Sequence, residues 1–227
     1  MDQEQDAKRA AGRAAAELVE SGMRIGLGTG STFIHVLDRL AERMAEGLEV
    51  AGVPTSEATA AYARQLGVPM LSLEEARTLD LAIDGADEVD PRKQLIKGGG
   101  GALLREKIVA NAAREMIVVV SANKLVPALG TTFAVPVEVV PFGWRQVADA
   151  VERSGGRPEL RRSAPDTPFV TDNGMWILDC GFGAIEDPTT LARVLQAVPG
   201  VVDHGLFIDM AGRVLAGEHD GSVRLIS

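Results

Sequence analysis

Cysteine is nearly absent from the 227-residue sequence, in which Cys180 is the one example. A single cysteine excludes a disulfide within this sequence, and the three histidines, His35, His204 and His219, are too scattered to form a metal-ligand pattern. We therefore expect no bound metal. No apolar run approaches the roughly 18 to 20 residues that cross a bilayer, and the N-terminal segment lacks the apolar centre of a signal peptide. These absences favour a cytoplasmic protein that does not bind membranes.

Basic residues are also in deficit, because 23 Lys and Arg face 32 Asp and Glu and give a formal net charge of -9. Such a surface repels phosphate polymers, which argues against a nucleic-acid partner. A small anionic substrate remains compatible with the charge. A few local donors outweigh a diffuse field that salt screens beyond about 8 to 10 Å.

The first 125 residues do contain a regular alternation of short apolar runs with helix-like segments. The runs MRIGL (23–27), LDLAID (79–84) and MIVVVS (116–121) show no polar alternation, as is typical of strands buried on both faces, and LEVAGVP (48–54) is a weaker fourth. This order predicts an α/β fold with a Rossmann-like, mostly parallel sheet and helices on both faces.

Residues 135–208 follow a different order, βαββαβ, which is typical of a small ferredoxin-like α+β domain. The C-terminal segment GRVLAGEHDGSVRLIS indicates two short strands that return to the larger domain. We therefore predict a Rossmann-like catalytic domain of residues 1–130 with 206–227, and a small domain of residues 131–205.

The motif GLGTGST, residues 26–32, stands between the first predicted strand and a helix-like segment. It does not fit a dinucleotide loop, because Ser31 stands where a third glycine is needed, and no lysine precedes Ser31 as a P-loop requires. The hydroxyl and N–H groups of Thr29, Gly30, Ser31 and Thr32 then suit a small phosphate at a helix N-terminus. The alternative is a tight turn with Ser31 as the helix cap.

The motif DGADEVD, residues 84–90, follows the run LDLAID. Small residues after Asp84 let the chain turn, so we expect Asp84 and Asp87 to point toward a site while Glu88 and Asp90 face solvent or cap the next turn. Carboxylates so placed hold sugar hydroxyls or relay protons. A capped loop and a divalent-ion site are the alternatives.

The motif KGGGGALLREK, residues 97–107, places four consecutive glycines after Lys97. Such a run costs ordering entropy, which indicates a place where side chains would obstruct something. In the predicted helix that follows, Glu106 falls on a stripe of small and aliphatic residues. Poor solvation there would raise the pKa of Glu106 and suit it as a general base. The alternative is an ion pair of Glu106 with Lys97, Arg105 or Lys107.

Lys124 follows the run MIVVVS, in the sequence SANK. Residues 29–32, residues 84–87 and Lys124 thus all follow predicted parallel strands. Open α/β sheets bind ligands at the carboxyl ends of such strands. We therefore expect these residues to lie along one edge of the sheet.

These motifs, together with VPVEVVP, GGRPELR, VTDNGMWILD and PGVVDHGLF, resemble in order the type A ribose-5-phosphate isomerases over nearly the whole chain. The most specific part is DGADEVD followed shortly by KGGGGALLREK. Gly101 stands where alanine or serine is usual, and Leu104 where a polar residue is common, but neither change removes a functional group. The resemblance implies interconversion of D-ribose 5-phosphate and D-ribulose 5-phosphate through an enediolate, with no cofactor, by a homodimer or a tetramer.

The resemblance also implies residue roles. Glu106 is the implied catalytic base, with Lys97 and Asp84 flanking the reacting end of the sugar, while Lys8 would help to bind phosphate. The implied substrate-binding residues are Thr29, Gly30, Ser31, Thr32, Asp84, Gly85, Ala86, Asp87, Lys97, Gly98, Gly99, Gly100, Lys124 and Lys8.

Rival functions stay open at this point. Related folds also serve amino-sugar phosphate isomerases, sugar lactonases and acyl-CoA transferases with a glutamate nucleophile. A sugar-phosphate sensor of the repressor type would need a helix-turn-helix unit, and the roughly 22 residues before the first predicted strand leave room for only one helix.

Overall fold

The computed structural model describes residues 3–227, and the contacts within the chain divide it into two units. Unit 1 contains the described part of Met1–Ala86 together with Arg105–Lys124 and Met210–Ser227. Unit 2 contains Asp87–Leu104 and Leu125–Asp209. Across residues 3–227, no helix combines the length and apolar character that spanning a membrane requires.

Helices and strands are numbered along the chain through both units. The helices are α1 (Gln3–Ala16), α2 (Phe33–Ala45), α3 (Glu57–Gln65), α4 (Leu73–Ala76), α5 (Leu103–Ala112), α6 (Trp144–Arg153) and α7 (Pro188–Gln196). The strands are β1 (Arg24–Leu27), β2 (Ala51–Pro54), β3 (Leu81–Asp84), β4 (Glu88–Val89), β5 (Leu95–Ile96), β6 (Met116–Ser121), β7 (Val135–Val139), β8 (Arg157–Leu160), β9 (Arg162–Ala164), β10 (Thr167–Pro168), β11 (Trp176–Gly181), β12 (Val201–His204), β13 (Leu206–Phe207), β14 (Ala211–Gly217) and β15 (Val223–Ile226).

Unit 1 is built on a six-stranded sheet in the order β15-β14-β6-β3-β1-β2. The pairs β1–β2, β1–β3, β3–β6 and β6–β14 are parallel, and β15 alone joins this sheet antiparallel. Every residue of β3 and β6 is buried, as the unbroken apolar runs predict. The predicted α/β fold is confirmed, and the two C-terminal strands do return to the larger sheet.

Helix α1 packs closely against the sheet of unit 1 because its buried face is made of small residues. Ala7, Ala11 and Ala15 recur every fourth residue and are fully buried. A side chain at Gly217 in β14 would collide with the carbonyl of Ala7. The close approach fixes α1, and with it Lys8, beside the end of β14.

Unit 2 contains a four-stranded antiparallel sheet in the order β12-β7-β11-β8. The chain order β7-α6-β8-β11-α7-β12 is the predicted βαββαβ arrangement. Valines from β7 and α6 form the centre of its core: Val135, Val137, Val139, Val147 and Val151. A short hairpin of β9 and β10, which the sequence did not indicate, is inserted before β11.

A second, three-stranded sheet in unit 2 explains where the contact-based units differ from the sequence-based boundaries. Strand β5 pairs with β4 and with β13, and Val89 forms a bridge to Leu125. These pairings draw residues 87–104, 125–130 and 206–209 into unit 2. Each of the three strands has two residues, too few to carry a detectable hydrophobic period.

Candidate active site

Three adjacent parallel strands of unit 1 end beside predicted site residues. Strand β1 ends at Leu27, before residues 28–32, and β3 ends at Asp84 itself. Strand β6 ends at Ser121 and is followed by a 3₁₀ turn, Ala122–Lys124. Because β6, β3 and β1 are neighbours in the sheet, their carboxyl-terminal segments share one edge.

Asp84 links the first two of these segments. Its Oδ1 accepts hydrogen bonds from the N–H of Thr29 at 3.0 Å and from the N–H of Gly85 at 2.7 Å. A side chain at Gly28 would collide with the Asp84 carboxylate, so only glycine permits this approach. Gly85 and the next residue, Ala86, are half-buried. Two backbone N–H groups thus hold one oxygen of the Asp84 carboxylate.

The hydroxyl of Thr29 turns toward residues 55–59, which the sequence analysis did not assign to the site. Thr29 Oγ1 lies 2.8 Å from Thr55 Oγ1, 2.8 Å from Ser56 Oγ and 3.2 Å from Thr59 Oγ1. Thr55, Ser56 and Thr59 are all buried. The sequence PTSEAT, residues 54–59, contains three hydroxyl residues and could have indicated this part of the site. These residues carry no charge, however, and they follow the weakest of the predicted strands.

The rest of the GLGTGST motif forms the start of α2. Gly30 and Ser31 are exposed, and Gly30 has a positive φ of 119°. Thr32, and not Ser31, occupies the N-cap position, and its side chain makes no capping hydrogen bond. The alternative in which Ser31 caps the helix is therefore wrong. The first turn of α2 contains no acidic residue, so the helix dipole there favours an incoming anion.

Lys8 and Lys124 both act on one carboxylate, that of Glu4. Lys8 Nζ lies 2.7 Å from Glu4 Oε1, within α1. The hydrogen bond and charge of Lys8 hold the pKa of Glu4 below its ordinary value, and the charges of Lys124 and His219 lower that pKa further. The N-terminal helix therefore places Lys8 in the electrostatic neighbourhood of Lys124, with Glu4 as an acidic neighbour that the sequence analysis missed.

Glu106 lies in the first turn of α5 and is only 4% exposed. Val109 and Ala110, which the helical spacing placed on the same stripe, are buried as well. A side chain at Gly26 would collide with Val109, which shows how closely α5 lies over β1. The neighbouring Arg105 forms an ion pair with Glu57, with 2.9 Å between Nη1 and Oε1.

In unit 2, Lys97 is buried at the end of β5, with 2% of its surface exposed. Its N–H donates to the carbonyl of Gly205 at 2.8 Å, and its Nζ lies 5.5 Å from the centre of the Phe207 ring. A cation over an aromatic face is attracted by the ring quadrupole, which partly offsets the loss of water. Gly205, directly before β13, and Phe207, within β13, therefore hold both the backbone and the side chain of Lys97 in place.

The glycine run is demanded by backbone geometry and by close packing within unit 2. Gly98 and Gly101 have positive φ angles of 105° and 81°, and the N–H of Gly101 donates to the carbonyl of Gly98 at 3.0 Å. A Cβ at Gly101 would lie 2.5 Å from the Phe169 ring. Gly99 and Gly100 are exposed.

Arg161 braces the same run and was not predicted. Its Nη1 donates to the carbonyls of Gly98 and Gly99 at 2.9 and 3.1 Å. Its Nε and Nη2 donate to the two carboxylate oxygens of Asp179 at 2.9 and 2.5 Å. Arg161 ends GGRPELR and Asp179 ends VTDNGMWILD, so two motifs of the resemblance meet in this ion pair.

Two acids of DGADEVD are structural, and one prediction about them is wrong. Glu88 does not face solvent: it is fully buried and accepts hydrogen bonds from the N–H groups of Gly130, Thr132 and Phe133 at 2.5, 2.5 and 2.8 Å. Three backbone donors offset the cost of burying the charge. Asp90 caps a turn, as predicted, by accepting from the N–H groups of residues 92 and 94.

Among residues 3–227, no group of three or more His, Cys, Asp or Glu side chains is arranged to hold a metal ion. The acidic motif instead divides between Asp84, held by backbone donors at the sheet edge of unit 1, and structural or loop-holding acids in unit 2. A parallel sheet with the Thr29 hydroxyl, the Asp84 carboxylate and Lys124 at the carboxyl ends of its strands is typical of the class of α/β proteins that bind small ligands at this edge.

Comparison with known proteins narrows the class. The sequence model of the ribose 5-phosphate isomerase A (phosphoriboisomerase A) family matches residues 51–221. The ribose-5-phosphate isomerase A of Thermomicrobium roseum is 52% identical over 97% of this chain and 93% of its own length. That of a Synechococcus species is 53% identical over 94% of each chain.

Solved structures agree with the sequence relatives. Ribose 5-phosphate isomerase A from Methanocaldococcus jannaschii superposes with a TM-score of 0.93, at 40% identity over 98% of each chain. A D-ribose-5-phosphate isomerase in complex with phospho-erythronic acid superposes with a TM-score of 0.94, at 38% identity over 97% of each chain. The chain belongs to the ribose 5-phosphate isomerase A family and is an enzyme of the aldose–ketose isomerase class.

Proposed function

We propose that the chain interconverts D-ribose 5-phosphate and D-ribulose 5-phosphate, in the non-oxidative pentose phosphate pathway. Relatives that are similar over nearly the whole chain are named for that activity. One solved relative holds phospho-erythronic acid, a phosphorylated sugar acid. The single observation that carries the mechanism is the burial of Glu106 in the first turn of the helix that follows the glycine run.

Glu106 is the base in this mechanism. Its carboxylate removes the proton from C2 of the open-chain aldose, and the same proton returns to C1 of the enediolate to give the ketose. One carboxylate suffices for the carbon-bound proton, because the proton that it takes from C2 is the proton that it gives to C1. The hydroxyl proton of the substrate passes from O2 to O1 of the enediolate in the same interconversion. Burial of Glu106 limits exchange of that proton with water and strengthens its interaction with the substrate.

Lys97 stabilises the negative charge that develops on the substrate oxygen during proton transfer. A buried ammonium is effective in that role because little water screens it, and loss of one such donor typically costs about 100-fold or more in rate. Backbone N–H groups of the glycine run share this role with Lys97. The N–H groups of Gly99 and Gly101 also donate to Asp87 and to the Gly98 carbonyl, and these bonds hold the run in place. Asp84 assists ring opening by exchanging a proton with the ring oxygen or the C1 hydroxyl.

Phosphate binding supplies orientation at the other end of the substrate. Lys124, Lys8 and the start of α2 provide positive charge for the phosphate, and this remote binding energy holds C1 and C2 in place for the proton transfer. No cofactor or metal takes part in the proposed reaction. We propose further that the enzyme works in the cytoplasm as a homodimer, with a tetramer as the alternative; light scattering after size exclusion distinguishes them.

The test is conversion of ribose 5-phosphate to ribulose 5-phosphate in the presence of EDTA, for the wild type and for Glu106→Gln. The variant keeps the shape of the side chain and removes the base, so we expect a folded protein that retains less than about 1% of turnover. Near-normal activity of Glu106→Gln would contradict the role of Glu106. Turnover of glucosamine 6-phosphate in place of ribose 5-phosphate by the wild type would favour an amino-sugar phosphate isomerase.

A further inference from the structure

The buried hydroxyls beside Thr29 form a hydrogen-bonded path that closes on the loop from which it starts. Thr29 Oγ1 donates to Ser56 Oγ at 2.8 Å, and Ser56 Oγ donates to Thr59 Oγ1 at 3.0 Å. Thr59 Oγ1 then donates to the carbonyl of Gly28 at 2.8 Å. Gly28 directly precedes Thr29, so the path begins and ends on adjacent residues. We call Thr29, Ser56, Thr59 and the Gly28 carbonyl the hydroxyl ring.

The hydroxyl ring is tied to secondary structure at two further points. Ser56 is the N-cap of α3, and its Oγ also accepts the N–H of Thr59 at 3.1 Å. Thr55 sits beside the ring and donates its hydroxyl to the carbonyl of Leu27, the last residue of β1, at 3.1 Å. The end of β1 and the start of α3 are therefore joined through side-chain hydroxyls.

Buried hydroxyls are costly unless each finds a partner, and an apolar core would be simpler to build at this place. Here Ser56 and Thr59 find their partners in residues 28–32: Ser56 accepts from the Thr29 hydroxyl, and Thr59 donates to the Gly28 carbonyl. The N–H of Thr29 donates to Asp84 Oδ1. Thr29 is therefore held by the hydroxyl ring through its side chain and binds Asp84 through its backbone.

We propose that Thr29, Ser56 and Thr59 are positioning residues that fix residues 28–32 and, through the N–H of Thr29, orient the Asp84 carboxylate. The Thr29 hydroxyl is on this view an anchor of the loop, and the exposed Ser31 and the start of α2 meet the substrate phosphate. The kinetic part of this inference rests on the proposed function.

The variants Thr59→Val and Thr59→Ser separate the hydroxyl from the rest of the side chain. Valine keeps the shape and opens the ring, whereas serine keeps the hydroxyl. We expect Thr59→Val to speed amide hydrogen exchange in peptides covering residues 28–32 and to raise the KM for ribose 5-phosphate by about tenfold, with a smaller fall in kcat. Thr59→Ser should restore both toward the wild type.

A matched control distinguishes positioning from general destabilisation. Thr190→Val removes a threonine hydroxyl that donates to Asp187 at 2.6 Å near the start of α7 in unit 2. We expect it to lower thermal stability without changing the KM or the exchange of residues 28–32. If Thr190→Val raises the KM as much as Thr59→Val does, the effect is one of stability and the inference is overturned.

A double-mutant cycle separates an anchor from a substrate ligand. If Thr29 acts through the ring, Thr29→Val and Thr59→Val should each raise the KM, and the double variant should be little worse than either single variant. If the Thr29 hydroxyl binds substrate directly, the two effects should multiply, which would overturn the assignment of Thr29 as an anchor. Thr29→Val also opens the ring at a half-buried position, so it serves if Thr59→Val does not fold.

Hydrogen exchange keeps the inference independent of the reaction. Lack of ribose 5-phosphate turnover by the wild type would refute the proposed function, and exchange in residues 28–32 would still report whether the ring holds the loop. Unchanged exchange in Thr59→Val, or equal defects in the valine and serine variants, would overturn the inference even if the wild type is fully active.

Discussion

The N–H of Gly99 donates a hydrogen bond to Oδ2 of Asp87 over 2.8 Å, which ties the glycine run to the acidic motif within unit 2. A Cβ at position 99 would lie 2.7 Å from Asp87 Oδ1 and 3.0 Å from the Phe133 ring. Residue 99 is glycine because the carboxylate occupies the place of a side chain. In turn, the N–H of Gly99 holds the Asp87 carboxylate in its position.

This relationship predicts the effect of Gly99→Ala. The added methyl group must displace Asp87 or the run, so we expect kcat/KM for ribose 5-phosphate to fall by about 100-fold, as an ångström-scale misplacement does elsewhere. Gly143→Ala is the matched control, because nothing lies within 4 Å of its Cβ position and its φ of -112° suits alanine. Wild-type kcat/KM in Gly99→Ala would contradict the importance of this contact.

The hydrogen bonds of Arg161 predict that a positive charge alone at position 161 does not hold both Asp179 and the glycine run. Lysine cannot donate to both carboxylate oxygens and to the Gly98 and Gly99 carbonyls at once, since it lacks the planar fork of arginine. We expect Arg161→Lys to lower the free energy of unfolding by about 1–3 kcal/mol and to reduce kcat/KM.

The control for Arg161→Lys is Arg157→Lys, at an exposed position at the start of β8. Urea unfolding measures the free energy of unfolding of both variants, and steady-state kinetics measures their kcat/KM. Equal behaviour of the two would show that the fork geometry of Arg161 does not support the glycine run.

The parallel sheet was predictable because burial on both faces leaves a direct trace in the sequence. β3 and β6 lie in apolar runs without alternation, and their ends are followed by the polar segments with Asp84 and Lys124. Strands β4, β5 and β13 were not predictable in this way, since two-residue strands depend on partners that lie far along the chain.

The role of individual acids and glycines was less predictable than their presence. Glu88 reads as one more surface acid in DGADEVD, and only the folded loop at residues 130–133 supplies the N–H groups that bury it. Likewise, the glycine run suggested room for a ligand, whereas contacts with Asp87 and Phe169 already require glycine at positions 99 and 101. Long-range contacts of this kind have no local signature.

The position of Lys124 after β6 predicts a role in binding more than in chemistry. Lys124→Ala removes a positive charge at the sheet edge, so we expect the KM for ribose 5-phosphate to rise by about tenfold or more while kcat changes little. The difference from the wild type should shrink at high ionic strength, because salt screens the lost attraction. Arg153→Ala, which removes one positive charge from the last turn of α6, serves as the control.

A rise in the KM that is equal in Lys124→Ala and Arg153→Ala would assign the effect to net charge. A fall in kcat with an unchanged KM would instead place Lys124 in the chemical step, contrary to the phosphate role.

Burial of Cys180 predicts an unreactive thiol and a defined pH dependence. Cys180 is fully buried in β11, and burial raises the pKa of its thiol well above the ordinary value of 9.0. Below pH 9 the thiol is neutral in both the folded and the unfolded chain, so it leaves stability unchanged. Above pH 9 the unfolded chain ionises first, and the free energy of unfolding should fall. An aromatic disulfide reagent should leave the native protein unlabelled at pH 8 and label it fully in urea, whereas rapid labelling of the native protein would contradict the burial of this strand.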